Sequence, residues 1–208
     1  MSVDEKYTAA AATFTEREYG DPERYFGHRA AIVATLGPPL VPGDRVLDLA
    51  AADASFAPHL LARGLEYTGL DLNAAMIDVA RERHGDRIRL EQADMLTYVP
   101  AEPVAATVCF RSLYFAPDRV EFLRHVASYT EKKVLFDFDP RRGSLEELRA
   151  DLRAAGLDRL DVRPFFVPQH GRLPAPVAAV LQAAETAGPL ARLLLRVRFS
   201  LVVAASRS

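Results

Sequence analysis

RVLDLAAADAS, residues 45–55, is a short apolar run that ends in an acid and a string of small residues. Pro42-Gly43-Asp44 before it makes a turn that releases the chain into a buried strand. Ser55 after it can cap a helix over 55–63, in which Phe56, Leu60 and Leu61 form an apolar stripe. Gly64 falls where a helix ends in a left-handed turn. A strand, a tight turn of small residues and a helix make the unit from which parallel sheets are built.

The same rhythm continues along the chain. LEYTGLDL, 65–72, reads as a second strand, and Asn73 caps a helix over 74–84 with Met76, Ile77 and Ala80 on its inner face. RIRLEQAD, 87–94, is a third strand, and 104–111 a fourth. A helix over 118–129 begins at Asp118, KKVLFDFD at 132–139 is a fifth strand, and a helix over 144–155 ends at Gly156. A sixth strand at 160–167, the loop PQHGRLPAP and a helix at 177–187 precede a seventh strand at 196–205. The region before about Gly37 has helical spacing (Tyr25, Phe26, Arg29, Ile32, Val33, Leu36) and breaks at Gly20-Asp21-Pro22. The expected organisation is one domain over 1–208: a helical cap at 1–40 on an α/β core at 41–208.

Composition narrows the function. The chain has 208 residues, with 26 Lys+Arg against 28 Asp+Glu, so its net charge of −2 recruits no polyanion and no nucleic-acid partner is expected. Cys109 is the single cysteine, which excludes an intrachain disulfide and a multi-cysteine metal site and suits a cytoplasmic protein. The start MSVDEKYTAA lacks an apolar signal core, and the apolar runs fall short of the ~20 residues of a membrane span. Leu190 to Arg198 mixes leucines with Arg192, Arg196 and Arg198 and reads as core-and-surface alternation, not membrane binding. The oligomeric state is left open.

In an open parallel sheet, ligands bind beyond the carboxyl ends of the strands, near the point where strand order reverses. Strand one ends in Asp48, followed by Ala50, Ala51, Ala52, Asp53 and Ala54; strand two ends in Asp71; strand three ends in Asp94-Met95. A carboxylate after strand two is an acceptor pair for vicinal hydroxyls such as those of a nucleoside ribose. An acid beside the Met95 thioether suits an exocyclic amine and the flat face of a purine.

Three acids at successive strand ends after a small-residue turn resemble the class I S-adenosylmethionine-dependent methyltransferases, over roughly 45–139 and more loosely over the whole chain. The resemblance implies a doubly wound seven-stranded α/β sheet in the order 3-2-1-4-5-7-6, with the last strand antiparallel. It implies S-adenosyl-L-methionine as cofactor and a small-molecule methyl acceptor, a hydroxyl or an amine. It places Asp71 on the ribose, Asp94 at the adenine amino group, and Leu72 and Met95 on the flanks of the adenine. Asp48, Ala50, Ala52 and Asp53 join these as cofactor contacts. In the family this loop reads (Asp/Glu)-x-Gly-x-Gly-x-Gly, whereas here the three glycines are Ala50, Ala52 and Ala54.

Two loop conformations remain open at this point. With positive φ, each alanine costs ~1–2 kcal/mol and its methyl pushes a ligand outward. With negative φ throughout, the methyls are tolerable. Weakened binding motivates an alternative reading, a methyltransferase-like protein that has lost transfer and serves as a binding or regulatory module or catalyses a non-transfer reaction. Retained Asp71 and Asp94 argue against complete loss. A nicotinamide-dependent dehydrogenase also has an acid after strand two, but its GxGxxG turn is absent and Asp94 would go unexplained.

The segment CFRSLYFAPD, 109–118, follows strand four, where the family places cofactor and substrate contacts. Phe110 and Arg111 are cofactor candidates and Tyr114 a substrate candidate, with Ser112 beside them. The planar fork of Arg111 fits an anion, although a structural salt bridge would use it equally well. Cys109, inside an apolar strand, reads as a packed, inert thiol. Asp137 and Asp139 share a face of strand five, with Arg141 and Arg142 to neutralise them, and no metal is expected.

Of the histidines His28, His59, His84, His125 and His170, two are candidate general bases. His170 lies in the restricted loop 164–174, which can cover a pocket and touch substrate. His28 lies on the cap, with Tyr19 and Tyr25 as walls or, for Tyr25, a contact to the amino-acid end of the cofactor. The cap and the segment 167–189 are expected to shape the acceptor pocket.

Overall fold

Val46, Leu47 and Leu49 are buried on alternate faces of strand β1 (Arg45–Leu49), as a strand covered on both sides requires. The computed structural model describes residues 3–191, 193 and 200–208. The other strands are β2 (Glu66–Asp71), β3 (Arg89–Gln92), β4 (Val104–Cys109), β5 (Thr130–Phe138), β6 (Arg159–Pro164) and β7 (Leu201–Ser206). They form one seven-stranded sheet in the order β3-β2-β1-β4-β5-β7-β6. The β1–β5 pairings are parallel, and β7 runs antiparallel to both β5 and β6. Strand order therefore reverses between β1 and β4, where Asp48 faces Val108 in register.

One face of the sheet is covered by α3 (Pro22–Thr35), α4 (Ala57–Leu61) and α5 (Ala74–His84), whose Ile32, Val33, Leu60 and Ala80 join Val46, Tyr67 and Val108 in one core. The other is covered by α6 (Arg119–Tyr129) and α7 (Leu145–Ala154), through Leu123, Val126, Leu148 and Leu152 against Leu47, Leu49 and Phe136. The strand alternation sorts these two sets, because successive side chains leave opposite faces.

The helix starts follow their capping residues. Asn73 and Asp118 accept from the amides of Met76 (3.1 Å) and Glu121 (2.9 Å). Ser144 and Glu147 form a reciprocal capping box. Ser55 does not cap α4: that helix starts at Ala57 with Pro58 in its first turn, and the Ser55 hydroxyl instead accepts from Thr15 Oγ1 at 2.9 Å.

The N-terminal region divides in two. Helix α3 packs into the layer on the sheet. The preceding α1 (Val3–Ala10), a 3-10 turn at Ala11–Thr13 and α2 (Phe14–Glu18) cross the carboxyl ends of the strands. The corner between α2 and α3 needs Gly20, because a Cβ there would lie 2.3 Å from the backbone nitrogen of Gly171.

Helix α8 (Ala175–Ala184) ends sooner than its spacing suggests. The last strand begins at Leu201, and the expected start at Arg196, like Arg192 and Arg198, lies outside the described residues. No helix among the described residues is long and apolar enough to cross a membrane.

Candidate functional site

A cavity of about 810 Å³ opens at the carboxyl ends of β1 to β4, under α1 and α2. That volume lies toward the upper end of the ~300–1,000 Å³ common for ligand pockets. Asp48, Asp71, Asp94, Leu72 and Met95 line it together, as do Ala50, Ala52, Asp53, Tyr25, Phe110, Arg111 and Tyr114. The sheet order explains the convergence: the ends of β3, β2, β1 and β4 lie side by side, ~4.8 Å apart per strand.

The loop after β1 takes the strained alternative. Ala50, Ala52 and Ala54 have φ of 56°, 49° and 53°. Hydrogen bonds hold them there: the Ala51 amide donates to Leu70 O at 2.8 Å, the Ala54 amide to Ala51 O at 3.0 Å, and the Ala52 amide to Asp71 Oδ2 at 2.8 Å. Asp71 Oδ1 accepts from the Asn73 amide at 2.9 Å. Opposite the loop, Gly69 leaves room for the methyl of Ala51, which a Cβ at 69 would meet at 3.2 Å.

The four acids differ in environment. Asp48 is 5% exposed and accepts from the Tyr67 hydroxyl at 2.7 Å. Burial pushes its carboxyl up to about 7, against the opposing effect of the Tyr67 hydrogen bond and aided by the charge of Asp71. Asp71 is also raised by burial, with the amides of Asn73, Ala52 and Leu72 working against it. Asp94 accepts from the Leu96 amide at 2.9 Å.

Asp53 is engaged elsewhere: Oδ1 takes Thr15 Oγ1 (2.9 Å) and the Ser55 amide (3.2 Å), and Oδ2 takes Arg83 (2.6 Å). Arg83 also donates to Ala12 O at 2.8 Å, so this cluster fastens the N-terminal segment over the loop. Leu72 is 65% exposed and Met95 buried, an apolar pair at the β2–β3 end of the cavity.

Arg29 is the site residue that sequence reasoning passed over, although a charge on the buried stripe Tyr25-Phe26-Arg29-Ile32-Val33 was a signal. It is 2% exposed, and its guanidinium donates to Asp137 Oδ2 at 2.9 Å and to the Tyr25 hydroxyl at 2.7 Å. The rings of Phe110, Phe165 and Tyr25 surround it at 4.2, 4.7 and 4.8 Å. Asp137 also accepts the Arg111 amide at 3.0 Å, so its partners come from α3 and the β4 end, not from Arg141 or Arg142. Asp139 alone is paired with Arg141. Among the described residues no cluster of His, Cys, Asp and Glu could hold a metal ion.

Past β4, Arg111 has φ of 59° and turns its guanidinium to the Tyr19 hydroxyl at 3.1 Å. Burial pushes the Cys109 thiol up to about 12, and its Sγ lies 3.2 Å from Ser112 Oγ, consistent with an inert packed thiol.

Neither candidate histidine reaches the cavity. His28 Nε2 is 2.7 Å from Glu185 Oε2, with its ring stacked on Phe165. His170 is exposed on a loop whose neighbour Gln169 reaches Glu18 from outside the cavity. None of the cavity-lining residues comes from 167–189, so that segment buttresses the α2–α3 corner and does not shape the pocket.

Residues 46–133 match the family described as "Methyltransferase domain". No curated protein matches the chain. Among solved structures, the chain is similar to one from Haloferax volcanii, in a complex of the Trm112 methyltransferase activator with a protein named there as a methyltransferase (TM-score 0.67, 20% identity, 98% of each chain covered). A SAM-dependent methyltransferase of Geobacter sulfurreducens in complex with S-adenosyl-L-homocysteine gives a TM-score of 0.61 at 18% identity, covering 97% of this chain and 98% of that one. Its counterpart from Thiobacillus denitrificans, also complexed with S-adenosyl-L-homocysteine, gives 0.61 at 16% identity, covering 100% and 99%. With a match to a methyltransferase domain at 46–133 and the complete seven-stranded order, the chain has the fold of the class I S-adenosylmethionine-dependent methyltransferases.

Proposed function

We propose that the protein moves the methyl group of S-adenosylmethionine to a small-molecule acceptor held in the same cavity. The observation that carries this reading is the convergence of Asp48, Asp71 and Asp94 with Leu72 and Met95 on one cavity at the point where strand order reverses. These donors and surfaces fit the cofactor. Asp71 keeps acceptor capacity for a ribose hydroxyl beside the backbone amides it binds, because a carboxylate offers about four acceptor positions. Asp94 with Leu72 and Met95 suits a purine bearing an amino group, and Asp48 and Tyr25 would hold the cofactor's amino-acid end.

When bound, the cofactor would supply a methyl on a sulfonium, an electrophilic carbon that an acceptor lone pair attacks in line with the departing thioether sulfur. The chain would contribute position: Asp48, Asp71 and Asp94 would hold the donor at the ends of β1 to β3 and leave the β4 side for the acceptor, so that a bimolecular step becomes effectively intramolecular. The single buried thiol is consistent with a reducing, cytoplasmic setting.

Calorimetric titration with S-adenosylmethionine and S-adenosylhomocysteine, with NADH as control, tests the reading. Binding of the adenosyl compounds alone is expected, together with its loss in Asp71→Ala. Absence of binding would favour a module that has lost transfer, and retained affinity in Asp71→Ala would remove the ribose assignment.

A further inference from the structure

Over the ends of β1 to β3 the cavity is lined by the carboxylates Asp48, Asp71 and Asp94. Past β4 it is lined by Arg111, whose guanidinium lies 3.4 Å from Glu18. Tyr114 and Phe115 stand there 62% and 42% exposed, with ring centroids 4.4 Å apart. Each is a large ring directly on the cavity rim.

Tyr7 of α1 closes the other side: its hydroxyl hydrogen-bonds Tyr114 and feels both Arg111 and Glu18, so these groups share one compartment. Arg111 is held toward it at positive φ. Its Nη2 contact to Glu18 is long, 3.4 Å, and easily exchanged for a better anion.

Resting on the transfer reading above, we propose that the acceptor is a small planar oxyanion, an aromatic carboxylate or acidic phenol, whose ring stacks on Tyr114 and Phe115 and whose charge is met by Arg111. Flat rings favour stacking on exposed aromatic side chains, and the guanidinium fork matches a carboxylate in plane. A guanidinium beside the acceptor disfavours cationic amines, while the carboxylates over β1 to β3 suit a positively charged cofactor.

An acceptor that is already ionised also needs no base, and no histidine is among the residues that line the cavity. In the transfer, an oxygen lone pair of the acceptor forms the O–CH3 bond as the S–CH3 bond breaks. The bonding pair passes to sulfur, which becomes the neutral thioether of S-adenosylhomocysteine, and no proton moves.

Benzoate, 4-nitrophenolate and benzylamine are titrated into the protein with and without S-adenosylhomocysteine. The two anions are expected to bind and the amine not. Arg111→Gln is expected to weaken benzoate binding by ~10-fold or more, as loss of a charge-assisted hydrogen bond does. Tyr114→Ala, at a position 62% exposed, is expected to weaken benzoate but not acetate. Preferential binding of benzylamine, or benzoate affinity unmoved in both variants, overturns the proposal. Failure of S-adenosylhomocysteine to bind while benzoate still binds through Arg111 would fail the transfer reading and with it the acceptor role, and leave only the aromatic anion site standing. Incubation with the methyl donor then separates the two sources: a methyl ester from benzoate or a methyl ether from the phenol.

Discussion

The amide of Ala52 donates to the carboxylate of Asp71 at 2.8 Å and thereby ties the loop after β1 to the end of β2. Ala52 reaches that acid because its φ is 49°, which turns the peptide N–H toward β2. The same acid that is read as the ribose contact also holds the alanines in their left-handed conformation.

Restoring glycine should therefore act on the folded protein as well as on the ligand. A left-handed alanine costs ~1–2 kcal/mol, and glycine returns ~0.5–1 kcal/mol of that through greater freedom of the unfolded chain. Ala50→Gly and Ala52→Gly should each stabilise by about 0.5 kcal/mol. Ala54→Gly should be close to neutral, because the Ala54 methyl is fully buried and its removal costs ~0.8 kcal/mol. Urea denaturation of the three variants checks the order. Calorimetry of the triple variant should show tighter binding of the adenosyl compounds, and unchanged or weaker binding would refute a steric effect of the methyls.

The carboxyl of Asp48, raised to about 7 by burial, sets a pH dependence. Its folded value lies above the ordinary value near ~4, so its stabilising contribution is complete below about pH 4 and is lost as pH rises through about 7. The groups facing it are Tyr67, Asp71 and Arg29. Relative to Asp48→Asn, the parent should lose stability between pH 5 and pH 8, measured by chemical denaturation at constant ionic strength. Cofactor affinity should move the other way, because a cationic ligand favours the ionised form: it should rise across the same interval in the parent and stay flat in Asp48→Asn.

Arg29 and Asp137 form a pair whose arginine is almost wholly buried. Removing one partner strands a charge, so Asp137→Ala should destabilise by about 3 kcal/mol. Arg29→Met with Asp137→Leu removes both charges, and its cost should be clearly less than the sum of the single changes. A double-mutant cycle in urea reads this directly, and additive costs would show that the pair is not coupled.

Much of the fold was legible because it is written locally. Asn73, Asp118 and Ser144 each cap the helix that their positions announce, and Gly64 and Gly156 take the positive φ at the helix ends. The alternation of β1 sorted Leu47 and Leu49 from Val46 and Asp48 without knowledge of the partners. Helix α4 was misjudged at its start because Ser55 had a competing partner, Thr15, 40 residues earlier. Its hydroxyl makes that contact only once α2 is folded across the loop.

For the site, the strand-end acids could be found in the sequence because parallel sheets bind ligands at one edge and each acid sits at a recognisable strand end. The histidines could not be judged that way. His28 and Tyr25 are three residues apart on one helix, yet Tyr25 lines the cavity while His28 turns to Glu185. Which side of α3 faces the cavity depends on how that helix packs, and the same holds for the loop that carries His170.

The sequence by itself determined the α/β alternation, the three acids and the alanines that stand for glycines, because these follow from periodicity, capping and strand ends. Only the tertiary structure decided that the alanines are left-handed, that Asp53 clasps the N-terminal segment, and that Arg29 lies buried against Asp137 among aromatic rings. Each of those depends on groups distant in sequence that meet only when the sheet orders its strands, so no local pattern could report them.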